Sequence, residues 1–215
     1  MVRLSRALIL PVVLVLMLAI MAASLGSLNF IDQGLQQLVD RLPRGLDDAA
    51  LAIGVVSNFP VLLPFAAVVA VYEFWRGRVM DGLLMLGSLS SLLAFFVVKE
   101  TVRRARPVTD YITSHGLHDH SFPSGHVTGA TAVFGMAALL LWRRSSSRWA
   151  RAGSIAIMLF IVIIGVSRVY IGAHYPTDVL GGWLLALVIV SVLSFIKRAV
   201  AKRGQTLTGT AEAAL

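Results

Sequence analysis

Six stretches of this chain contain no aspartate, glutamate, lysine or arginine: Ala7–Ile31, Ala49–Tyr72, Gly82–Val98, Ser121–Trp142, Ala152–Ser167 and Val179–Ile196. A helix needs roughly 17 to 25 apolar residues to cross the hydrocarbon core of a bilayer, and each run is close to that length. Inside lipid a spanning segment must satisfy its own backbone amides, so runs of this length are read as helices. Composition agrees. Of 215 residues, 57% are hydrophobic and 14% charged, too little polar surface for a water-soluble domain of this size. The expectation is an all-α polytopic membrane protein with six transmembrane helices, one domain over residues 1–203, and a small polar tail over 204–215 that is disordered.

Arg3 and Arg6 precede the first run, and Ala22, Ala23 and Ser24 follow its apolar stretch, a pattern shared with cleaved signal peptides. The uncharged run is longer than the usual signal-peptide core of about 7 to 15 residues, so a retained helix is expected. Cysteine is absent, which removes disulfide frameworks, thiolate zinc sites and cysteine nucleophiles. The net charge of +8 would also suit a nucleic-acid binder, but the basic residues lie between the apolar runs rather than along one face. The expected partners are therefore the phospholipid bilayer and a membrane lipid, with no nucleic acid.

Topology accounts for most of the positive charge. With cytoplasmic N- and C-termini, six spans place Arg3, Arg6, Arg76, Arg78, the Arg143–Arg151 turn and Lys197–Arg203 inside, as the positive-inside tendency requires. The opposite side receives Arg41, Arg44, Lys99, Arg103, Arg104, Arg106 and Arg168. Cations at span ends on the translocated side call for an anionic partner. Arg103 and Arg104 read as interfacial anchors, whereas Lys99, Arg106 and Arg168 fall at motif spacings. Residues 32–48 and 99–120 are expected as loops on that side, the first with a short interfacial helix.

Three motifs meet at this surface. Lys99 and Arg106 are seven residues apart and would share a helix face up to Pro107, which stops or turns the chain. Phe122-Pro123-Ser124-Gly125-His126 opens the fourth span. It reads either as an ordinary helix start or as an anion site, with free amides at Ser124 and Gly125, the Ser124 hydroxyl and the helix dipole. In Ser167-Arg168-Val-Tyr-Ile-Gly-Ala-His174-Tyr-Pro-Thr-Asp178, helix from His174 onward would put imidazole and carboxylate on one face, the carboxylate holding one ring nitrogen and leaving the other basic. Two crossings separate His126 from Ser167, so the chain leaves this surface and returns to it.

Lys-x6-Arg-Pro, Pro-Ser-Gly-His and Ser-Arg-x5-His-x3-Asp, in this order, resemble the three signature motifs of the type 2 phosphatidic acid phosphatase (PAP2) superfamily, and every signature position is filled. The resemblance implies a PAP2-type helical bundle in the inner (cytoplasmic) membrane. In it His174 attacks phosphorus to form a phosphohistidine, Asp178 orients it, and His126 protonates the leaving oxygen. Lys99, Arg106, Ser124, Gly125 and Arg168 would bind phosphate on the extracytoplasmic side. It implies no cofactor and no metal, and lipid substrates with undecaprenyl diphosphate first; phosphatidylglycerophosphate, phosphatidic acid and lipid A are the alternatives. Two other readings exist. His115, His118, Asp119 and His120 could hold a metal, and the boundary charges could mark a transport path for a phosphorylated lipid.

Overall fold

In a computed structural model the backbone is described for residues 2–43, 45–144 and 146–212, and side chains for 8–43, 45–144 and 146–203. The described residues form ten α-helices and no strand; α7 (Asp110–Ser114) is a short helix within the 99–120 segment expected as a loop. The apolar segments α8 (Gly125–Arg144), α9 (Arg148–Tyr170) and α10 (Pro176–Glu212) are single long helices. The third predicted span is a continuous apolar segment of 24 residues, Val79–Val102, made of α5 (Val79–Gly87), a 3-10 turn at Ser88–Ser90 and α6 (Ser91–Val102). Helix α10 runs on to Glu212, where the sequence suggests a tail from Gly204; residues 213–215 lie outside the described residues.

The first two predicted spans are bent. Helix α1 (Val2–Ala23) is followed by a 3-10 turn and by α2 (Asn29–Val39), whose axis turns by 79°. Phe30, Leu35 and Leu38 of α2 are exposed while Asp32 is buried, so one face suits lipid and the other faces protein, as at a membrane interface. Helix α3 (Asp47–Val56) ends where the Ser57 hydroxyl donates back to the Ile53 and Gly54 carbonyls. Asn58, extended at ψ 154°, then caps α4 (Phe59–Trp75), which has Pro60 in its first turn, where its missing N–H costs nothing. The α3–α4 bend is 47°. Among the described residues four helical segments are long and apolar enough to cross alone, and six spans result if each bent pair crosses once.

Helix α8 is central: 61% of its apolar length is buried, against 33 to 39% for the other three straight spans. Its Val127, Ala130, Val133 and Met136 pack on Leu62 and Ala66 of α4, Met85 of α5 and Ile161 and Ile164 of α9. Between lipid-facing helices the gain comes from close packing rather than from expelling water, so small residues matter. At Gly165 a Cβ would lie 2.7 Å from both Trp183 and Val179, and this close approach seats α9 on α10.

The end of the bundle away from His174 is tied by ions. Buried Glu73 pairs with Arg78 and Arg144, and Asp81 pairs with Arg144 and Lys197, linking α4, α5, α8 and α10. Three of the basic residues that topology alone places here thus have specific carboxylate partners.

Candidate active site

The loop after α6 draws the three motifs together. Arg103 adopts the left-handed conformation, φ 52°, and ends α6 at Val102, four residues earlier than Pro107 requires. Lys99 and Arg106 therefore do not share a helix face. The loop instead stitches the motifs by hydrogen bonds: Ser121 donates its N–H to the Arg104 carbonyl and its hydroxyl to the Ala105 carbonyl. Thr109 donates to the Gly172 carbonyl at 3.0 Å, and Arg106 to the Ala173 carbonyl at 2.9 Å. Gly172 has φ +70°, and a Cβ there would lie 2.7 Å from Thr109, so this strand of loop requires glycine twice over. The cations converge through the loop: Lys99 and Arg106 both pair with Asp119, Arg106 at 2.8 Å.

His174 sits in the turn before α10, not on the helix, and is 4% exposed. Its Nδ1 still faces Asp178, at 3.5 Å, longer than a hydrogen bond, and has no other partner among the described residues. Nε2 faces the Arg106 guanidinium, also at 3.5 Å. Burial pushes the ring below the ordinary histidine range; Asp178 pulls the other way, and Arg106 and Lys99 add to the depression. The ring is thereby kept neutral, with one nitrogen toward a carboxylate and the other toward the cations.

Asp178 is fully buried and more heavily held than the spacing suggests. One oxygen accepts from Arg104 at 2.6 Å and the other from the Tyr175 N–H at 2.9 Å. Arg104 is no interfacial anchor: it also donates to Asp32 and Thr177 and lies over the Tyr175 ring at 4.2 Å. Asp32 in turn accepts from the Thr177 N–H at 2.8 Å, satisfying a free donor in the first turn of α10. Burial disfavours the charge of Arg104, but Asp178 and Asp32 outweigh it and raise its pKa above the usual arginine value. Asp32, Arg104 and Thr177 were invisible as site residues because no local spacing connects them.

His126 is the second residue of α8, within electrostatic reach of Arg168, His174, Arg106 and Lys99. The Ser124 N–H is not free, since it donates to the Asp178 carbonyl at 3.0 Å. The N–H groups of Gly125, His126 and Val127 have no acceptor among the described residues, and the buried Ser124 hydroxyl is likewise unpartnered. Anion-binding donors are present, displaced one residue along the helix. At Gly125 a Cβ would meet the Phe95 ring at 3.2 Å, so that glycine makes room for an aromatic neighbour. Arg168 is buried, and its guanidinium donates to the Ala50 carbonyl and lies against Gly54 of α3.

A cavity of about 430 Å³ opens beside His174 between α2 and the loop, lined by Asp32, Gln33, Gln36, Gln37, Thr109 and Tyr175 among others. The loop histidines do not gather around Asp119: His115 stacks on Tyr111 and bonds to Ser114, and no group of three metal-ligating side chains occurs among the described residues. Burial raises the Asp119 pKa, yet hydrogen bonds and charge from Arg106 and Lys99 prevail and hold its carboxyl at about 2. It is an anion at any working pH.

A family model described as the PAP2 superfamily matches residues 78–200. Phosphatidylglycerophosphatase B of Bacillus subtilis is 31% identical over 186 residues, spanning 83% of this chain and 90% of that protein. Undecaprenyl-diphosphatase BcrC of the same organism is 26% identical over 140 residues, 62% of this chain and 67% of that protein. The crystal structure of a PAP2-type phosphatidylglycerolphosphate phosphatase from Bacillus subtilis superposes with a TM-score of 0.74 at 26% identity, covering 89% of this chain and 97% of that one.

Proposed function

Because this chain belongs to the PAP2 superfamily and is a membrane phosphoester hydrolase, we propose that it removes the terminal phosphate of a lipid by way of a phosphohistidine at His174. The observation that carries the reading is the placement of neutral, buried His174, with Nδ1 toward Asp178 and Nε2 toward Arg106. Closing the 3.5 Å gap between Nδ1 and Asp178 to a hydrogen bond when substrate binds fixes the proton on Nδ1 and leaves the Nε2 lone pair for phosphorus. As the N–P bond forms, the P–O bond to the leaving group breaks, and His126 gives that oxygen its proton. In the second step His126 takes a proton from water, which attacks phosphorus and frees His174. Lys99, Arg106 and Arg168, with the unpaired amides of α8 and the Ser124 hydroxyl, neutralise the equatorial oxygens, and this scheme calls for no metal.

Two substrates are in view. Undecaprenyl diphosphate is the one that the family resemblance puts first, and the similarity to an undecaprenyl-diphosphatase supports it. Phosphatidylglycerophosphate is favoured by the cavity beside His174: its lining contains three glutamine amides and no lysine or arginine, which suits a leaving oxygen carried on a glycerol better than one carried on a second, directly attached phosphate. The distribution of basic residues supports a site on the extracytoplasmic side with cytoplasmic termini.

Phosphate release from the two lipids, measured side by side with purified protein in detergent and EDTA, tests this. Release that survives EDTA and falls by about 10³-fold or more in His174→Ala is the expected result. Release abolished by EDTA, or retained in His174→Ala, would sink the scheme. The dependence of rate on pH should be bell-shaped. Activity is lost on the acid side as pH falls through the His174 pKa, which burial holds below the ordinary histidine range. The basic limb belongs to kcat, where the bound phosphate anion keeps His126 charged until the pH rises far enough to remove its proton. A flat profile between about pH 5 and 8 contradicts both assignments.

A further inference from the structure

At the end of the bundle away from His174, adjacent basic residues divide their labour. Arg144 of α8 and Lys197 of α10 turn inward and occupy both oxygens of Asp81. Their sequence neighbours Arg143 and Arg198 turn instead to a pocket of about 360 Å³ between α1, α8 and α10, close enough to repel one another. Neither has a carboxylate partner among the described residues, and the acid that acts on Arg143 from a distance, Asp81, is already held by Arg144 and Lys197. Two uncompensated guanidiniums at one site are electrostatically costly unless an anion joins them.

The pocket supplies a further donor. Ser194 lies one helical turn before Arg198, is 8% exposed, lines the pocket, and its hydroxyl has no partner; that of neighbouring Ser191 is satisfied by the Val188 carbonyl. The remaining walls are apolar: Leu10, Leu14, Leu139, Leu187, Val190 and Phe195. Leu10 and Leu187 are exposed on the outer face of the bundle, where hydrocarbon chains would run. A soluble anion would find two charges but no complement for these walls, whereas an anionic phospholipid matches both.

We propose that this pocket binds the headgroup of an anionic phospholipid from the leaflet opposite the catalytic end. Arg143 and Arg198 hold its phosphate oxygens, the Ser194 hydroxyl donates to it, and its acyl chains lie along α1 and α10. The site is separate from the one at His174 and does not depend on the reaction proposed there.

The test is native mass spectrometry of the detergent-solubilised protein titrated with phosphatidylglycerol, phosphatidylcholine and inorganic phosphate. An Arg143→Gln/Arg198→Gln double variant should weaken phosphatidylglycerol binding about tenfold or more. Ser194→Ala should weaken it by a smaller factor. Arg76→Gln, a cation at the same end outside the pocket, and Arg106→Gln, at the catalytic end, should leave it unchanged. Phosphatidylcholine should bind the wild-type protein no better than the double variant. The proposal is overturned if the double variant holds phosphatidylglycerol as tightly as wild type, if phosphatidylcholine shows the same arginine dependence, if Arg106→Gln rather than the double variant abolishes binding, or if inorganic phosphate at equal concentration displaces the lipid.

Discussion

Arg104 joins carboxylates from the two ends of the chain, Asp32 on α2 and Asp178 on α10, and through Asp178 it reaches His174. It touches no reacting atom and acts as a positioning residue. Arg104→Leu should cost about 10- to 100-fold in kcat, the range seen when a group orienting a functional side chain is lost, with little change in KM. Arg104→Lys should recover part of the loss, because a cation still reaches Asp178. Steady-state kinetics on both variants decide this, and a purely structural role would lower the melting temperature without the split. Asp119 predicts the opposite split. Its carboxylate occupies Lys99 and Arg106, so a phosphate must displace it. Asp119 is half exposed, and such pairs contribute up to about 1 kcal/mol, so Asp119→Asn should lower KM by up to about fivefold and leave kcat nearly unchanged. A higher KM would mean that Asp119 aligns the two cations for substrate.

Among the elements, α10 shows how small residues bring a motif into place. At Gly181 a Cβ would lie 2.3 Å from the fully buried Phe122 ring, and at Gly182 it would lie 3.1 Å from the Ser124 carbonyl oxygen. These two positions let the Pro-Ser-Gly-His segment rest against α10 beside Asp178. Gly181→Ala should destabilise the protein by about 1 to 3 kcal/mol, the usual cost of overpacking, and lower activity with it. Gly26→Ala, where nothing lies within 4 Å, should leave the melting temperature in detergent unchanged. The end of α6 carries a related lesson. Seven-residue spacing suggests one helical face for Lys99 and Arg106, but the turn at Arg103 is what frees Arg104 to reach Asp178.

For the whole molecule, the candidate site and the glutamate–arginine network occupy opposite ends of one bundle, and the orientation proposed from the distribution of basic residues puts the candidate site on the extracytoplasmic side. The chain has no cysteine, so single-cysteine labelling starts from a clean background. Val108→Cys, on a residue 99% exposed beside the site, should react with a membrane-impermeant maleimide in intact cells. Trp149→Cys, 74% exposed at the other end, should react only after permeabilisation. The reverse pattern would invert the orientation and place the site on the cytoplasmic side.

The amino-acid sequence by itself determined that the six apolar runs are helical and which residues make up the three motifs, but not where the first two runs bend or where the helices end. Hydrophobic run length and short-range spacing are local properties, and a bilayer leaves few structures that satisfy them. Only the tertiary structure decided which partners those residues take. Arg104, indistinguishable in sequence from its neighbour Arg103, became the link between two buried carboxylates, while Arg103 stayed at the surface. Arg168 turned to the Ala50 carbonyl, and Arg144 found acids where Arg143 found none. Such choices depend on how helices distant in sequence approach one another, since an ion pair or hydrogen bond forms only within a few ångströms, and no local pattern encodes that distance.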